Sequence, residues 1–216
     1  MFGFITHTWN VIRCIPCWHG CLYCYMLVSE YIELMLAESE FRCNLGSGKF
    51  IFLGSSTDMW ATNVPSEWIQ RILDYCDKFD NHYLFQSKNP DRFLEFLGHP
   101  IFQSKKAVLA TTIETNRWYP DIMNNAPQPC DRAQAMAAIA ARGIPTMVTI
   151  EPAMTFDHDK MLEMILACNP IQVNIGRNTA DWIQLPEPTR DEVQDLIADL
   201  SNFTTVHVKP NASVWM

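Results

Sequence analysis

The sequence predicts an α/β fold: an open, partial (β/α)6 TIM-like barrel with a parallel sheet and outer helices, built by residues 1–216 as one domain. Three observations lead there. Short apolar runs of β-type residues alternate six times with stretches of helical periodicity, the pattern of parallel strands joined by crossovers. Six such units in 216 residues fall short of the eight units and roughly 250 residues of a closed barrel. A hydrophobic content of 48% against 19% charged residues suffices for one large core, and no repeat or low-complexity tract marks a second domain.

Thr6 to Ile12 reads as the first strand and runs into a cysteine-rich loop. Beyond it Leu27, Tyr31, Leu34 and Met35 recur at helical spacing and predict a helix over 25–39. Lys49 to Gly54 is the second strand, and Ser66 is placed to cap a helix carrying Trp68, Ile69, Ile72, Leu73 and Cys76 on one face. His82 to Ser87 is the third strand; its helix has Asn89 as cap, Pro90 in the first turn and Gly98 past the end. Ala107 to Ile113 is the fourth. The long connection from Glu114 to Pro129 is a place for function, and the helix from Asp131 to Arg142 stops at Gly143. Thr146 to Ile150 is the fifth strand, followed by a helix capped by Asp157. Gln172 to Ile175 is the sixth, and Thr189-Arg190-Asp191-Glu192 is a capping box opening the last helix. Thr205 to Val208 adds a short final strand.

Eight cysteines without an export signal point to reduced thiols and a soluble cytoplasmic protein rather than a disulfide scaffold. No run approaches the roughly 18 apolar residues of a membrane span. A net charge of −8 argues against a broad basic face gripping a nucleic acid backbone. Arg13, Lys88, Arg117, Arg177 and Lys209 nevertheless fall at or near strand ends, where they are expected to face one pocket. Cys43, Cys76, Cys130 and Cys168 read as buried small hydrophobes.

The most informative segment is Cys17-Trp18-His19-Gly20-Cys21-Leu22-Tyr23-Cys24. A structural metal site is normally closed by four protein ligands, whereas three thiolates at C-x3-C-x2-C spacing leave one position of a cubane open. Two alternatives stand beside it. Cys14 with Cys21 and Cys24 makes a wider triad, although the shorter loop from Cys17 is cheaper to close. Cys14-x2-Cys17 and Cys21-x2-Cys24 make two zinc-knuckle pairs, with a gap between them too short for an ordinary finger.

The segment Cys17 to Cys24, with aromatic Tyr23 before the last cysteine, resembles the signature loop of the radical SAM superfamily. The wider stretch Thr8-Trp9-Asn10 through Cys24-Tyr25 resembles a smaller, often phage-encoded branch, and the likeness continues in Ser56-Thr57-Asp58, Gln86 to Pro90, Ile150-Glu151-Pro152 and Ile175-Gly176. The resemblance implies a [4Fe-4S] cluster on Cys17, Cys21 and Cys24, with S-adenosylmethionine chelating the open iron. It implies an electron from a reductase or flavodoxin-type donor, and a 5'-deoxyadenosyl radical that abstracts hydrogen. The substrate it suggests is a small molecule, nucleotide or modified DNA base, which the acidic total favours over a long duplex.

In barrel-like proteins the site lies at the carboxyl ends of the strands. There Ser55, Ser56 and Asp58 are expected to meet the cofactor, with Ser56 or Asp58 accepting from its ammonium group. Tyr23 is suited to cover adenine. The resemblance implies that Glu114 and Asn116 hold ribose hydroxyls. Glu151, just beyond an apolar strand, and Arg177 are further cofactor candidates; Lys88, Asn178 and Lys209 are candidates for substrate. His19 reads as a spacer that is exposed or packs on the cluster.

Overall fold

The computed structural model describes residues 3–216. The chain enters through β1 (His7–Trp9), then folds back on itself as an antiparallel ribbon of β2 (Ile12–Ile15) and β3 (Ile32–Leu36). β4 (Phe50–Leu53), β5 (His82–Ser87), β6 (Ala107–Thr112), β7 (Thr146–Ile150), β8 (Pro170–Ile175) and β9 (Thr205–Val208) follow. β1 and β4 through β9 form one seven-stranded sheet in chain order, every neighbouring pair parallel. β1 and β9 are its two free edges, so the barrel is open, as the sequence predicts.

The helices are α1 (Ser66–Asp77), α2 (Pro100–Gln103), α3 (Pro120–Met123), α4 (Pro129–Ala140), α5 (His158–Ala167) and α6 (Arg190–Ser201). Ile69, Ile72 and Leu73 of α1 are fully buried, each stabilising the fold by about 1.5–3 kcal/mol relative to exposure. Thr189 and Glu192 form the expected capping box on α6. Among the described residues no helix is long and apolar enough to cross a membrane.

The largest departure is the segment 25–39. Only Tyr25–Val28 is helical, as a single 3-10 turn, and Ile32–Leu36 is strand β3. The run Ile-Glu-Leu-Met-Leu also has period two, and pairing with β2 turns Leu34 and Leu36 inward while Glu33 and Met35 face water. Tyr31, counted on the helical stripe, is 77% exposed. The first crossover is therefore a β-ribbon carrying the cysteine loop, and the expected first strand divides between β1 and β2.

Smaller corrections concern caps and thiols. Ser66 is the first helical residue behind Pro65, and the stretch after Asn89 is a 3-10 helix, Pro90–Phe96. Asn89 spends its amide on the Trp60 carbonyl, and Asp157 spends its carboxylate on Asn116 and Arg117. Cys76 and Cys168 are buried, but Cys43 and Cys130 are exposed.

Register divides the sheet residues between two faces. Ile51, Leu53, Tyr83, Phe85, Leu109, Val148, Ile150 and Val173 belong to the core shared with the helices. On the concave face Leu84, Ala110 and Met147 make an apolar plug with Ile5, Phe50 and Phe52. Two residues further along the strands that face turns polar. Gln86 follows Leu84, Thr112 follows Ala110 and Thr149 follows Met147, with Asn174 beside Thr149 on β8. The strand ends thus open on polar groups above a dry base.

Candidate active site at the mouth of the open barrel

Residues 16–24 form a loop braced by its own backbone, with Gly20 donating to the Cys17 carbonyl at 3.1 Å and Cys24 to Cys21 at 3.0 Å. Gly20 stands at φ +62, which only glycine adopts cheaply. The long connection after β6 clamps the loop from outside. Leu22 donates to the Ile122 carbonyl, Asn125 to His19, and the Asn125 amide to Trp18. Trp182 donates from the far side to the Leu22 carbonyl at 2.9 Å. The loop is thus held by two later segments before any ligand arrives.

Cys17, Cys21 and Cys24 all line one cavity of about 640 Å3. Cys14 does not line it; it sits in β2 with its backbone tied to Thr57 Oγ1 in both directions and its thiol against the Pro16 carbonyl. Among the described residues no three His, Cys, Asp or Glu side chains are gathered closely enough to hold a single ion. Burial, then the Asp58 carboxylate, pushes the Cys17 thiol up to about 11, and burial raises Cys24 as well. Such thiols ionise in place only when a cation joins them.

Most of the expected site residues meet here. Tyr23, Ser55, Ser56, Asp58 and Lys88 line one side of the cavity, and Glu151, Arg177, Asn178 and Lys209 line the other. Arg13 and Arg117 do not line it and instead pair with Glu40 and Asp157. Asn116 also lies outside the lining, accepting from the Asp157 backbone and donating to its carboxylate at 3.0 Å.

Glu114 lies outside the lining too, fully buried. One oxygen accepts from the Tyr23 hydroxyl and from Lys88, the other from Arg132 at 2.7 Å. Arg132, fully buried in α4, also donates to the Thr112 and Pro127 carbonyls. Burial acts to raise the Glu114 carboxyl, but Arg132 and Lys88 outweigh it and lower it to about 2. Burial, reinforced by Glu114, raises the Tyr23 phenol well above its ordinary value, so it stays protonated and donates. Lys88 also lies 4.4 Å above the Tyr23 ring. Glu114 is therefore a buttress that fixes Tyr23 of the cysteine loop to the ends of β5 and β6.

Asp58 is likewise occupied. Its carboxylate accepts from His19 Nε2 at 2.8 Å, Ser87 Oγ and the Lys88 amide at 2.9 Å, and the Trp60 amide at 2.9 Å. Burial works to raise this carboxyl, and the His19 bond and charge with the two amides bring it below its ordinary value. Three of these donors meet Oδ2 and only the Trp60 amide meets Oδ1, so Asp58 ties the cysteine loop to β5 and keeps one lone pair of Oδ1. His19, expected as a spacer, is 2% exposed and is the other half of that tie.

Across the cavity Glu151 accepts from Lys209 and from the Asn211 amide, which also donates to the Arg177 carbonyl. Gly176 is required by this cluster, because a Cβ there would fall on the Glu151 carboxylate and within 2.9 Å of its Cγ. Gly176→Ala is expected to destabilise the protein by about 1–3 kcal/mol, the usual cost of overpacking. A melting temperature equal to the parent's would mean that Glu151 swings aside freely.

No protein-family model matches the sequence, and no curated protein does. Solved structures do match. A cysteine-to-serine variant of spore photoproduct lyase aligns with TM-score 0.65 and 10% identity over 93% of this chain and 75% of that one. A second structure of that lyase, with bound AdoMet and dinucleoside spore photoproduct, aligns with TM-score 0.58 and 10% identity over 91% of this chain and 61% of its own. Streptococcus suis SuiB bound to S-adenosylmethionine aligns with TM-score 0.63 and 9% identity over 95% of this chain, which spans only 51% of that protein. The chain thus shares the open-barrel fold of spore photoproduct lyase and SuiB, nearly end to end.

Proposed function

We propose that the chain is a radical SAM enzyme in which Cys17, Cys21 and Cys24 hold a [4Fe-4S] cluster whose fourth iron binds S-adenosylmethionine. One observation carries this reading: the three cysteines of the C-x3-C-x2-C loop open together on the cavity at the carboxyl ends of the strands, and Cys14 does not. The donor set suits the group, since one thiolate per iron calls for sulfurs spread around a cavity wall and not gathered on one ion. Solved chains of the same fold carry S-adenosylmethionine by their own description. The likeness of Thr8 to Tyr25 to a phage-associated branch supports the finer placement.

When bound, the cluster and its cofactor supply reductive cleavage of a sulfonium and removal of hydrogen from an unreactive C–H bond; the chain's task is positioning and shielding. The cysteine loop is held rigid by His19–Asp58 and by the 118–126 segment, so the thiols are pre-set. Tyr23, fixed by Glu114 and Lys88, presents its ring to the cavity where it can cover adenine. Ser55, Ser56, Glu151 and Arg177 are the polar contacts for the cofactor; Lys88, Asn178 and Lys209 face the substrate, a small molecule, nucleotide or DNA base. A reductase or flavodoxin-type donor provides the electron, and eight free thiols suit the reducing cytoplasm.

The test is anaerobic purification with iron and sulfide analysis, followed by dithionite reduction in the presence of S-adenosylmethionine. Four irons and four sulfides per chain and release of 5'-deoxyadenosine are expected. Stoichiometric zinc, or a cluster that releases no 5'-deoxyadenosine, would reduce the chain to a metal-stabilised binding module.

A further inference from the structure

Trp18, Leu22 and Trp182 are exposed at 44%, 39% and 44%, and none of them lines the cavity. They stand together on the outer side of the cysteine loop. Trp18 and Leu22 are four residues apart, so their Cα atoms lie within about 14 Å, and the Trp182 indole rests on the Leu22 carbonyl. Exposed apolar side chains gathered in this way, two of them tryptophan, mark a surface that another molecule covers. Leu22 lies between Cys21 and Cys24 in the chain, so this face is the outside of the wall whose inside carries the thiols.

Charge narrows what that molecule is. Residues 14–41, 118–131 and 178–189, which make the loop and the two segments that hold it, contain no lysine or arginine. Arg117 and Arg177 at their borders are paired with Asp157 and Glu187. Asp121 adjoins the Ile122 carbonyl that receives the Leu22 amide, and Asp181 adjoins Trp182. Both are exposed, and among the described residues neither has an ion-pair partner. The face is therefore apolar with an acidic rim. Such a rim repels nucleic acid phosphates and an anionic membrane surface. A second copy of this chain, at net charge −8, would set the same carboxylates against one another across a two-fold interface. What fits is a protein with a basic rim around an apolar centre. Three side chains of about 150–250 Å2, each less than half exposed, offer roughly 300 Å2. That is well short of the roughly 800 Å2 each partner of a stable complex buries, and transient redox encounters are the small class.

The inner side of the thiol wall faces the cavity, which cofactor and substrate fill in the reading above, and this leaves the outer face for the entry of an electron. We propose that Trp18, Leu22 and Trp182, rimmed by Asp121 and Asp181, dock a one-electron carrier protein with a basic rim. This narrows the reductase or flavodoxin-type donor to one of that surface charge. One electron leaves the reduced carrier and enters the group held by Cys17, Cys21 and Cys24; no atom or proton crosses the interface. The carrier's task rests on the radical SAM reading, but docking itself requires no turnover and is read by cross-linking.

The test uses the reconstituted protein, reduced and freed of dithionite, with one haem probe in two charge states: basic ferricytochrome c, and the same cytochrome with its lysines succinylated. In about 10 mM salt the native cytochrome is expected to be reduced about tenfold faster than the succinylated one, and the gap to close in about 1 M salt, where the screening length is about 3 Å. Zero-length carbodiimide cross-links from lysines of the native cytochrome are expected at Asp121 or Asp181. Asp121→Lys with Asp181→Lys is expected to slow reduction of the native cytochrome about tenfold and to speed that of the succinylated one. Its iron content and dithionite-driven 5'-deoxyadenosine release are expected to hold, because a small reductant needs no docking face. Trp18→Ser is expected to slow both probes alike at every salt concentration. Equal rates for the two cytochromes, cross-links confined to other carboxylates, or a Trp18→Ser or lysine variant that behaves as the parent would overturn the assignment. So would a lysine variant that loses iron or dithionite-driven cleavage, since the carboxylates would then be structural. A parent that cleaves S-adenosylmethionine with dithionite but treats both probes alike refutes this inference alone, whereas one that holds no iron refutes the enzymatic reading whatever its cross-links show.

Discussion

Replacing Cys17 with alanine is expected to remove the iron-sulfur absorption of the purified protein and reduce 5'-deoxyadenosine release to background, with Cys21→Ala and Cys24→Ala behaving alike. The three thiols share one loop and one cavity wall, and each is assigned a separate iron, so no neighbour substitutes for a missing one. Cys14→Ala is the control. Its thiol already donates to the Pro16 carbonyl and its backbone is fixed in β2 by Thr57, so full iron content and full cofactor cleavage are expected. If Cys17→Ala retains cleavage and Cys14→Ala loses it, the ligand set moves to Cys14, Cys21 and Cys24, and the loop must rearrange on metal binding.

How much of this was legible beforehand differs by kind of residue. Strands β5 and β7 have the bounds their apolar runs imply, because a strand buried on both faces leaves a continuous signal, and edge strand β9 shows itself by alternation, with Val206 and Val208 half-buried between exposed Thr205 and His207. The ribbon strand β3 did not show, since five residues of period two fit a helical stripe equally well until a partner strand fixes the choice. Cavity-lining residues such as Lys88, Glu151 and Lys209 could be found by position, each following a strand. Glu114 and Asp58 also follow strands, but position says nothing about whether a carboxylate is already satisfied; that depends on Arg132 and His19, far away in sequence. Arg132 did leave a trace. It lies at helical spacing from Met136 and Ile139, both fully buried, and an arginine on the apolar stripe of a helix calls for a buried anion.

That buried pair carries the second large effect. Arg132→Ala is expected to lower the unfolding free energy by about 3–5 kcal/mol, because it leaves Glu114 buried and short of its principal counter-charge. The shift of the urea midpoint measures it, and a loss below about 1 kcal/mol would show that Lys88 alone sustains the carboxylate. Joint replacement, Glu114→Leu with Arg132→Met, is expected to recover only part of the loss, since the buried pair goes together but Lys88 is left without its carboxylate. The pH dependence has a fixed sign. Glu114 is lowered in the folded chain to about 2 from 4.5, so its contribution is fully present above pH 4.5 and is lost as pH falls towards 2. Removing Arg132 takes away the largest force opposing burial, so the carboxyl rises and the variant should begin to lose stability at a higher pH than the parent. Parallel stability–pH curves for the two proteins would detach Glu114 from Arg132, and with it the account of how Tyr23 is held over the cavity.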